Sequence, residues 1–265
     1  MKYAVISDIH ANLEALTVVL DKCKEEGVEK YICLGDIVGY NANPSECLEL
    51  IRELNLVACV KGNHDEYASC DDEEMLGFNP HAKQAVLWTK ANLSDEQRDW
   101  LSKLPMKKTV RGSNISIVHA TLDSPDAWGY IFDVHHATDN FSYQFTQLCF
   151  CGHSHVPIAF FKKPLTMGRE NPVQEIDSWR TPAGPAEDLP NSMSIEMEKG
   201  WKYLVNVGSV GQARNRDPVA SFVIYNSDAG VVTRHRVPYD VAATQAKIIE
   251  AGLPERLALR LQRGN

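Results

Sequence analysis

The sequence contains no apolar run that approaches the roughly 20 residues needed for a transmembrane helix. Its start, Met1-Lys2-Tyr3, leads directly into a strand pattern and lacks the charged, apolar and small-residue succession of a signal peptide. Both absences argue against insertion into a membrane or export across one. We therefore expect a cytoplasmic protein without a membrane partner.

The sequence also lacks a Cys-x-x-Cys pair, and its seven cysteines are an odd number. Most of them lie in apolar runs or on predicted helical faces: Cys33, Cys59, Cys149 and Cys151 in the runs, Cys23 and Cys47 on the faces. This pattern is typical of buried, reduced thiols that pack as small apolar side chains.

Positive charge is scarce, since 27 Lys and Arg residues face 35 Asp and Glu residues and the net charge is −8. Proteins that bind a nucleic-acid backbone usually present a basic face, so nucleic acid is not the expected partner. The negative sum does not exclude anionic substrates, because divalent cations bound in a pocket would dominate the local field.

The first half of the chain alternates strand and helix patterns without a linker. Short apolar runs at residues 3–6, 31–34 and 57–60 predict strands, and amphipathic segments at 12–26 and from Pro44 onward predict the helices between them. Strand, helix and strand in this order predict right-handed crossovers and a parallel sheet. We expect one α/β domain over residues 1–265.

The remaining chain predicts further strands and helices. Residues 66–103 are predicted to be helical with a break at 92–94, and residues 109–110 and 115–118 are predicted to form a hairpin. Residues 123–139 form an aromatic-rich segment that is expected to be irregular. Further strands are predicted at 148–151, 158–161, 193–197, 203–207, 220–225 and 231–237, followed by a helical tail at 241–262 that is interrupted at 252–254. Residues 162–190 carry five prolines and no apolar period, which predicts a long loop or flap inserted in the domain. Such a segment is either solvated or covers a site.

Five of the strand patterns end in side chains that bind metals. The residues that follow them are Asp8 and His10; Asp36; Asn63, His64 and Asp65; His119; and His153 and His155. The carboxyl ends of parallel strands meet at one edge of a sheet, where open α/β folds keep their sites. We expect these side chains to converge, with Asp36 shared between two groups of ligands.

The predicted metal ligands are Asp8, His10, Asp36, Asn63, His119, His153 and His155. Carboxylates, imidazoles and one amide oxygen suit Mn, Fe, Zn, Co or Ni better than Ca or Mg. Seven ligands are too many for one ion and fit two divalent ions about 3.5 to 4 Å apart, an arrangement that supports in-line displacement at phosphorus. A water bridging the two ions would become hydroxide near neutral pH.

The motifs around these residues resemble those of the calcineurin-like metallophosphoesterases, and most closely their small prokaryotic phosphodiesterase and phosphatase branch. The motifs are Asp8-x-His10, Gly35-Asp36-x-x-Gly39, Gly62-Asn63-His64-Asp65, Val118-His119-Ala120 and Gly152-His153-Ser154-His155. Segments 34–40, 43–47 and 206–212 also look like that branch. The resemblance implies an α/β fold, a four-layer αββα sandwich of two mixed β-sheets flanked by helices.

The resemblance also implies roles for individual residues. One ion would be held by Asp8, His10, Asp36 and His155, and the other by Asp36, Asn63, His119 and His153. His64 would contact the phosphoryl oxygen or protonate the leaving group, and Asp65 would orient it. Arg214 and Arg216 follow segment 206–212, and either could pair with a substrate phosphate or be solvated.

The expected function is a metal-dependent phosphohydrolase that cleaves a phosphodiester or phosphomonoester bond in a small phosphoester or nucleotide. A dinucleoside polyphosphate hydrolase and a protein phosphatase are alternatives within this chemistry. Gly39 weighs against the latter, because the protein serine/threonine phosphatases of the superfamily carry a second Asp there. A non-catalytic binding scaffold is an alternative of another class, and the intact ligand set with His64 favours the enzyme.

Overall fold

Two mixed β-sheets form the framework of the computed structural model, which describes residues 1–71, 79–165, 171–182 and 188–265. The strands are β1 (Lys2–Ile6), β2 (Lys30–Cys33), β3 (Leu56–Cys59), β4 (Lys107–Val110), β5 (Ile115–Val118), β6 (Leu148–Cys151), β7 (Ile158–Lys162), β8 (Gln174–Glu175), β9 (Ser192–Glu196), β10 (Lys202–Asn206), β11 (Ala220–Asn226) and β12 (Val231–Val237). Their order is β3-β2-β1-β11-β12-β9 in one sheet and β4-β5-β6-β10-β7-β8 in the other.

Helices flank both sheets, as the predicted αββα arrangement requires. They are α1 (Leu13–Glu25), α2 (Pro44–Glu53), α3 (Asn63–Ser69), α4 (Pro80–Ala91), α5 (Asp95–Ser102), α6 (Val134–Tyr143), α7 (Val241–Glu250) and α8 (Glu255–Arg263). Leu16 of α1 and Leu48 of α2 pack on the outer face of the first sheet, and Phe141 of α6 packs on that of the second. Of the helices described, none is both long and apolar enough to cross a bilayer.

The central core lies between the two sheets. Val5 and Ile32 of the first sheet and Ile117, Phe150 and Val205 of the second belong to one cluster of buried side chains. Strands buried on both faces read as continuous apolar runs, which is why these segments show no alternation in the sequence.

The three parallel strands of the first sheet end at nearly the same level. β1 and β2 pair in parallel with Ile6 opposite Cys33, and β2 and β3 pair in parallel with Cys33 opposite Cys59. The loops that carry Asp8, Asp36 and Asn63 therefore leave the sheet side by side. In the second sheet β6 pairs in parallel with β5 and β10, which brings the loops after β5 and β6 to a common edge.

Several sequence-based assignments need correction. The hairpin of β4 and β5 is confirmed, and it lies at the edge of the second sheet. The segment 123–139, expected to be irregular, contains the start of α6, where the Asp133 side chain accepts a hydrogen bond from the His136 N–H. The helical region expected from residue 66 begins at Asn63, and residues 72–78 within it lie outside the described residues.

The proline-rich segment 162–190 is anchored near its middle. Strand β8 pairs with β7, and the fully buried Trp179 donates a hydrogen bond from Nε1 to the Asn206 carbonyl at 3.2 Å. Residues 166–170 and 183–187 of this segment lie outside the described part of the chain. A covering role for the segment, and a single domain over residues 1–265, stay predictions.

Candidate metal centre

The loops at the sheet edges hold five of the predicted ligands in an unusual backbone conformation. Asp8, His10, Asp36, His153 and His155 have φ angles between 50° and 66°. This left-handed region is uncommon for residues other than glycine, and such strain persists where surrounding bonds fix it. The Asp8 N–H donates to the Gly35 carbonyl at 3.0 Å and the His10 N–H to the Asp36 carbonyl at 2.9 Å. His153 and His155 therefore enter the site from bends.

The ligand atoms gather into two groups that share one carboxylate. Asp8, His10, Asp36 and His155 form the first group, and Asp36, His119 and His153 form the second. Within each group the ligand atoms lie within 4.8 Å of one another, and every residue is buried. Asp36 Oδ2 is 3.5 Å from His10 Nε2 and 3.3 Å from His119 Nε2, which places this carboxylate between the groups.

Asn63 supplies an unsatisfied oxygen beside the second group. It is the first residue of α3, next to His64, whose backbone N–H donates to Asp36 Oδ1 at 2.8 Å. The side-chain oxygen of Asn63 is buried and has no hydrogen-bond partner among the described residues. A buried, unpaired polar atom costs about 1–3 kcal/mol, and coordination of a cation would offset this. The residues present therefore fit the predicted metals.

The four histidines predicted as ligands are oriented by backbone carbonyls. The ring nitrogen that faces away from the ligand group contacts the carbonyl of Val38 in His10, of Leu34 in His119, of Trp128 in His153 and of Gln212 in His155, at 3.2, 2.8, 2.9 and 2.5 Å. A carbonyl can only accept, so each of these nitrogens carries a proton, and the other ring nitrogen is the one that would present its lone pair to a bound metal ion. This arrangement is typical of metal-binding histidines.

The charges of the centre are strongly coupled. Burial opposes ionisation of Asp36, but nearby imidazoles, His119 first among them, outweigh it and hold the Asp36 pKa well below its usual range. Burial likewise lowers the pKa of His119, yet the Asp36 carboxylate outweighs it and raises that pKa to about 10. Burial followed by the charge of His119 lowers the pKa of His153 to about 3. In the metal-free protein His119 is therefore the imidazole that carries positive charge at neutral pH.

Comparison with known proteins places this centre in a family. Residues 1–230 match the sequence model of the calcineurin-like phosphoesterase superfamily domain. The chain belongs to this superfamily. A solved structure of a metallophosphoesterase from Sphaerobacter thermophilus is 36% identical, with a TM-score of 0.80 over 100% of this chain and 99% of that one.

Two further proteins are similar to this chain, one in sequence and one in fold. An uncharacterized protein of Methanocaldococcus jannaschii is 38% identical over 260 residues, which are 97% of this chain and 96% of the relative. A solved hypothetical protein of Pyrococcus horikoshii OT3 is 22% identical with a TM-score of 0.75, covering 100% of this chain and 98% of that one, and shows the same fold.

Asp65 does not take the position expected of it within the superfamily motif. Its two carboxylate oxygens accept hydrogen bonds from four backbone N–H groups, those of Asp36, Ile37, Val38 and Gly62, at 2.7 to 3.3 Å. A carboxylate offers about four lone-pair positions, so these bonds fill it. The expected role of Asp65, orienting His64, is therefore corrected to fixing the loop that carries Asp36.

His64 lies against the first ligand group. Its ring centroid is 4.8 Å from that of His10 and 4.3 Å from that of Tyr40. Burial is the main cause that lowers the pKa of His64 to about 4, so the imidazole is neutral at pH 7. A neutral imidazole beside the metal ligands can donate one N–H to a bound anion.

The two predicted substrate arginines separate in the structure. Arg214 reaches the site and donates to the hydroxyl of Tyr40 at 3.4 Å and to the side-chain oxygen of Gln212 at 3.3 Å. Arg216 is exposed, and its backbone N–H donates to the Gly264 carbonyl at 2.7 Å. Arg214 is thus the stronger of the two predictions.

Sequence reasoning did not single out the residues around the ligands. Tyr40 packs on His10 and His64, Tyr130 stacks on His153 with centroids 4.3 Å apart, and the Trp128 carbonyl fixes the His153 ring. Tyr40 follows Gly39 directly in the motif, and the aromatic content of segment 123–139 was a signal for the other two.

Proposed function

We propose that the chain is a metal-dependent phosphohydrolase that cleaves a phosphodiester or phosphomonoester bond of a small phosphoester. The observation that carries this proposal is the buried Asp36 carboxylate shared by two ligand groups, together with the unsatisfied oxygen of Asn63. Two ligand groups with no residue in common would suit two independent ions. A shared ligand holds two ions close enough to act on one phosphate.

The proposed ligand sets are those implied by the superfamily motifs. Asp8, His10, Asp36 and His155 would hold one divalent transition-metal ion, and Asp36, Asn63, His119 and His153 the other. Bound in this way, the two ions would supply Lewis acidity and an acidified water for in-line attack on phosphorus. Mn, Fe, Zn, Co and Ni match the mixture of oxygen and nitrogen ligands.

The protein itself would position the substrate and handle a proton. Neutral His64 would donate its N–H to a phosphoryl oxygen or to the leaving oxygen, a contribution typically worth about 10² to 10⁴ in rate. Asp65 would keep the Asp36 loop rigid through its four backbone hydrogen bonds. Arg214 would supply a guanidinium to the substrate at the side of Tyr40.

Metal analysis combined with a chromogenic assay tests this proposal. We expect two divalent ions per chain and Mn-dependent hydrolysis of bis(p-nitrophenyl) phosphate or p-nitrophenyl phosphate, abolished by chelation and restored by added metal. The preference between these two compounds separates diesterase from monoesterase activity. Failure to hydrolyse either compound with Mn, Fe, Zn, Co or Ni would favour the non-catalytic scaffold.

A further inference from the structure

A cavity beside the metal centre is lined by three arginines. Its volume is about 430 Å³, and its lining includes Tyr40, Arg214, Arg256 and Arg260 together with apolar Leu257. Arg256 and Arg260 belong to α8, which lies beyond residues 1–230 that match the superfamily domain. The chain therefore adds two cationic side chains to the edge of a centre that the superfamily motifs build without them.

Tyr40 separates the cavity from the metal centre by the thickness of one side chain. Its ring centroid lies 4.7 Å from that of His10 and 4.3 Å from that of His64. The Arg214 guanidinium carbon is 6.0 Å from the centroid of the same ring. The cavity and the first ligand group therefore share Tyr40 as a common neighbour.

None of the three arginines of the cavity forms a salt bridge with an Asp or Glu side chain among the described residues. Arg260 donates from Nε to the main-chain oxygen of Asn265, the last residue of the sequence, and Arg214 Nε is buried without a hydrogen-bond partner among the described residues. Arg256 and Arg260 stand four residues apart, a spacing that places like charges on one helix face and is mildly destabilising.

The arginines are close enough to affect one another. Burial, and then the positive charges of Arg214 and Arg256, lower the pKa of Arg260 to about 10. A helix that holds two arginine side chains beside a cavity is stabilised when an anion binds in that cavity. Guanidinium groups match phosphate especially well, because their planar N–H pairs bind two oxygens at once.

We propose that this cavity binds a second phosphate group of the substrate whose first phosphate is hydrolysed at the metal centre. The inference rests on the proposed function and narrows its substrate class to phosphoesters or phosphoanhydrides with two or more phosphates. The cavity volume falls within the range of about 300–1,000 Å³ typical of ligand sites, so it also has space for the group that links the two phosphates.

Two matched substrate pairs test the inference in the metal-loaded protein. AMP against ADP compares one phosphate with two adjacent ones, and 3′-AMP against adenosine 3′,5′-bisphosphate compares one with two separated ones. We expect kcat/KM to be at least tenfold higher for the second member of one pair. Equal kcat/KM values within both pairs would overturn the inference and leave the proposed hydrolase intact.

Substitutions in α8 connect that preference to the cavity. We expect the double variant Arg256→Ala, Arg260→Ala to reduce the ratio of kcat/KM for the two-phosphate substrate to kcat/KM for the one-phosphate substrate at least tenfold. Arg260→Lys in place of Arg260→Ala in the double variant should restore part of this ratio. Arg263→Ala is the matched control, since this exposed residue is on the same helix outside the cavity lining. A ratio that survives the double substitution would overturn the assignment. Arg256→Gln serves as the alternative variant if thermal melting shows that the double variant is unfolded.

Binding measurements keep the inference testable without turnover. The chromogenic assay decides the proposed function separately; if none of these nucleotides is hydrolysed, calorimetric titration of the same pairs measures the affinity ratio in the wild type and the double variant. An unchanged ratio overturns the inference, and a ratio lost with the arginines supports it. If inorganic phosphate instead occupies a separate effector site, it would change the rate of 3′-AMP hydrolysis without competing with 3′-AMP, in the wild type and not in the double variant. This result would also overturn the assignment.

Discussion

Gly39 lies directly against the imidazole of His64. A Cβ atom at Gly39 would stand 2.4 Å from His64 Nδ1 and 3.0 Å from its Cγ, closer than real side chains approach. Gly39 also has a φ of 92°, which strains any residue with a side chain. The position of His64 against the first ligand group therefore depends on the absence of a side chain at residue 39.

The substitution Gly39→Ala tests this dependence. We expect the new methyl group to displace the His64 ring and to lower kcat at least tenfold, while the bound metal content stays at the wild-type value because residue 39 is not a ligand. Assay of turnover together with metal analysis separates the two effects. Gly27→Ala is a suitable control, since that glycine has a similar positive φ but no atom within 4 Å of an added Cβ. Unchanged turnover in Gly39→Ala would contradict the proposed tight fit.

His64 itself is expected to act on the substrate and not on the metals. His64→Ala should retain both ions and lose about 10² to 10⁴ in kcat, the usual contribution of a general acid. Single-turnover rates on phenyl esters with leaving groups of different pKa provide the measurement. If His64 protonates the leaving oxygen, the loss shrinks as the leaving group becomes more acidic. Wild-type rates throughout would remove His64 from the mechanism.

Asp36 is expected to control both metal positions together. Asp36→Asn keeps the size of the side chain but removes the charge shared between the two ligand groups, so occupancy of both ions should fall in parallel. His10→Ala should reduce one ion first, because His10 belongs to the first group only. The number of metal ions bound per chain in both variants, measured by inductively coupled plasma analysis, tests these two expectations. Loss of a single ion in Asp36→Asn would show that the carboxylate is not shared.

The charge on His119 predicts how the stability of the metal-free protein depends on pH. The Asp36 carboxylate overcomes the effect of burial and raises the pKa of His119 to about 10, whereas an unfolded histidine titrates near 6.5. The native state therefore gains stability that is fully present below about pH 6.5 and is lost as the pH rises towards 10. In chelator, the melting temperature should fall by several degrees between pH 7 and pH 9.

Two controls accompany the pH experiment. His119→Gln removes the titrating group, so its melting temperature should vary less over the same range. Saturating metal should also remove the dependence, because a ligand imidazole has already lost its proton, and metal affinity itself should rise with pH. A metal-free wild type that melts at the same temperature at pH 7 and pH 9 would refute the assigned charge state.

The cysteines are expected to be unreactive in the folded protein. All seven are free thiols, and six of them are buried, whereas Cys70 is partly accessible. Burial raises the pKa of the Cys149 thiol to about 12, which removes the reactive thiolate at pH 8. A thiol reagent should modify at most one cysteine per native chain and seven after denaturation. Rapid modification of several cysteines in the native protein would disprove this burial.

The grouping of the candidate ligands was predictable because most of them closely follow strands. Asp8, Asp36 and His119 each come after a short apolar run, and parallel strands in register carry such residues to one edge. The same reasoning did not assign Asp65 correctly. A carboxylate next to a histidine in sequence was expected to contact it, but the turn of α3 directs Asp65 at four backbone N–H groups.

The amino-acid sequence by itself determined which side chains are candidate ligands, the strands that carry them and the superfamily to which the chain belongs. Side-chain type and the order of apolar runs are local properties, so they can be read from the sequence without the tertiary structure. The tertiary structure alone decided which backbone carbonyls fix the ligand histidines, that Gly39 must give space to His64, and that α8 brings Arg256 and Arg260 next to Tyr40. Backbone groups have no residue identity, and contacts across about two hundred residues exist only once both sheets and the final helices have packed together.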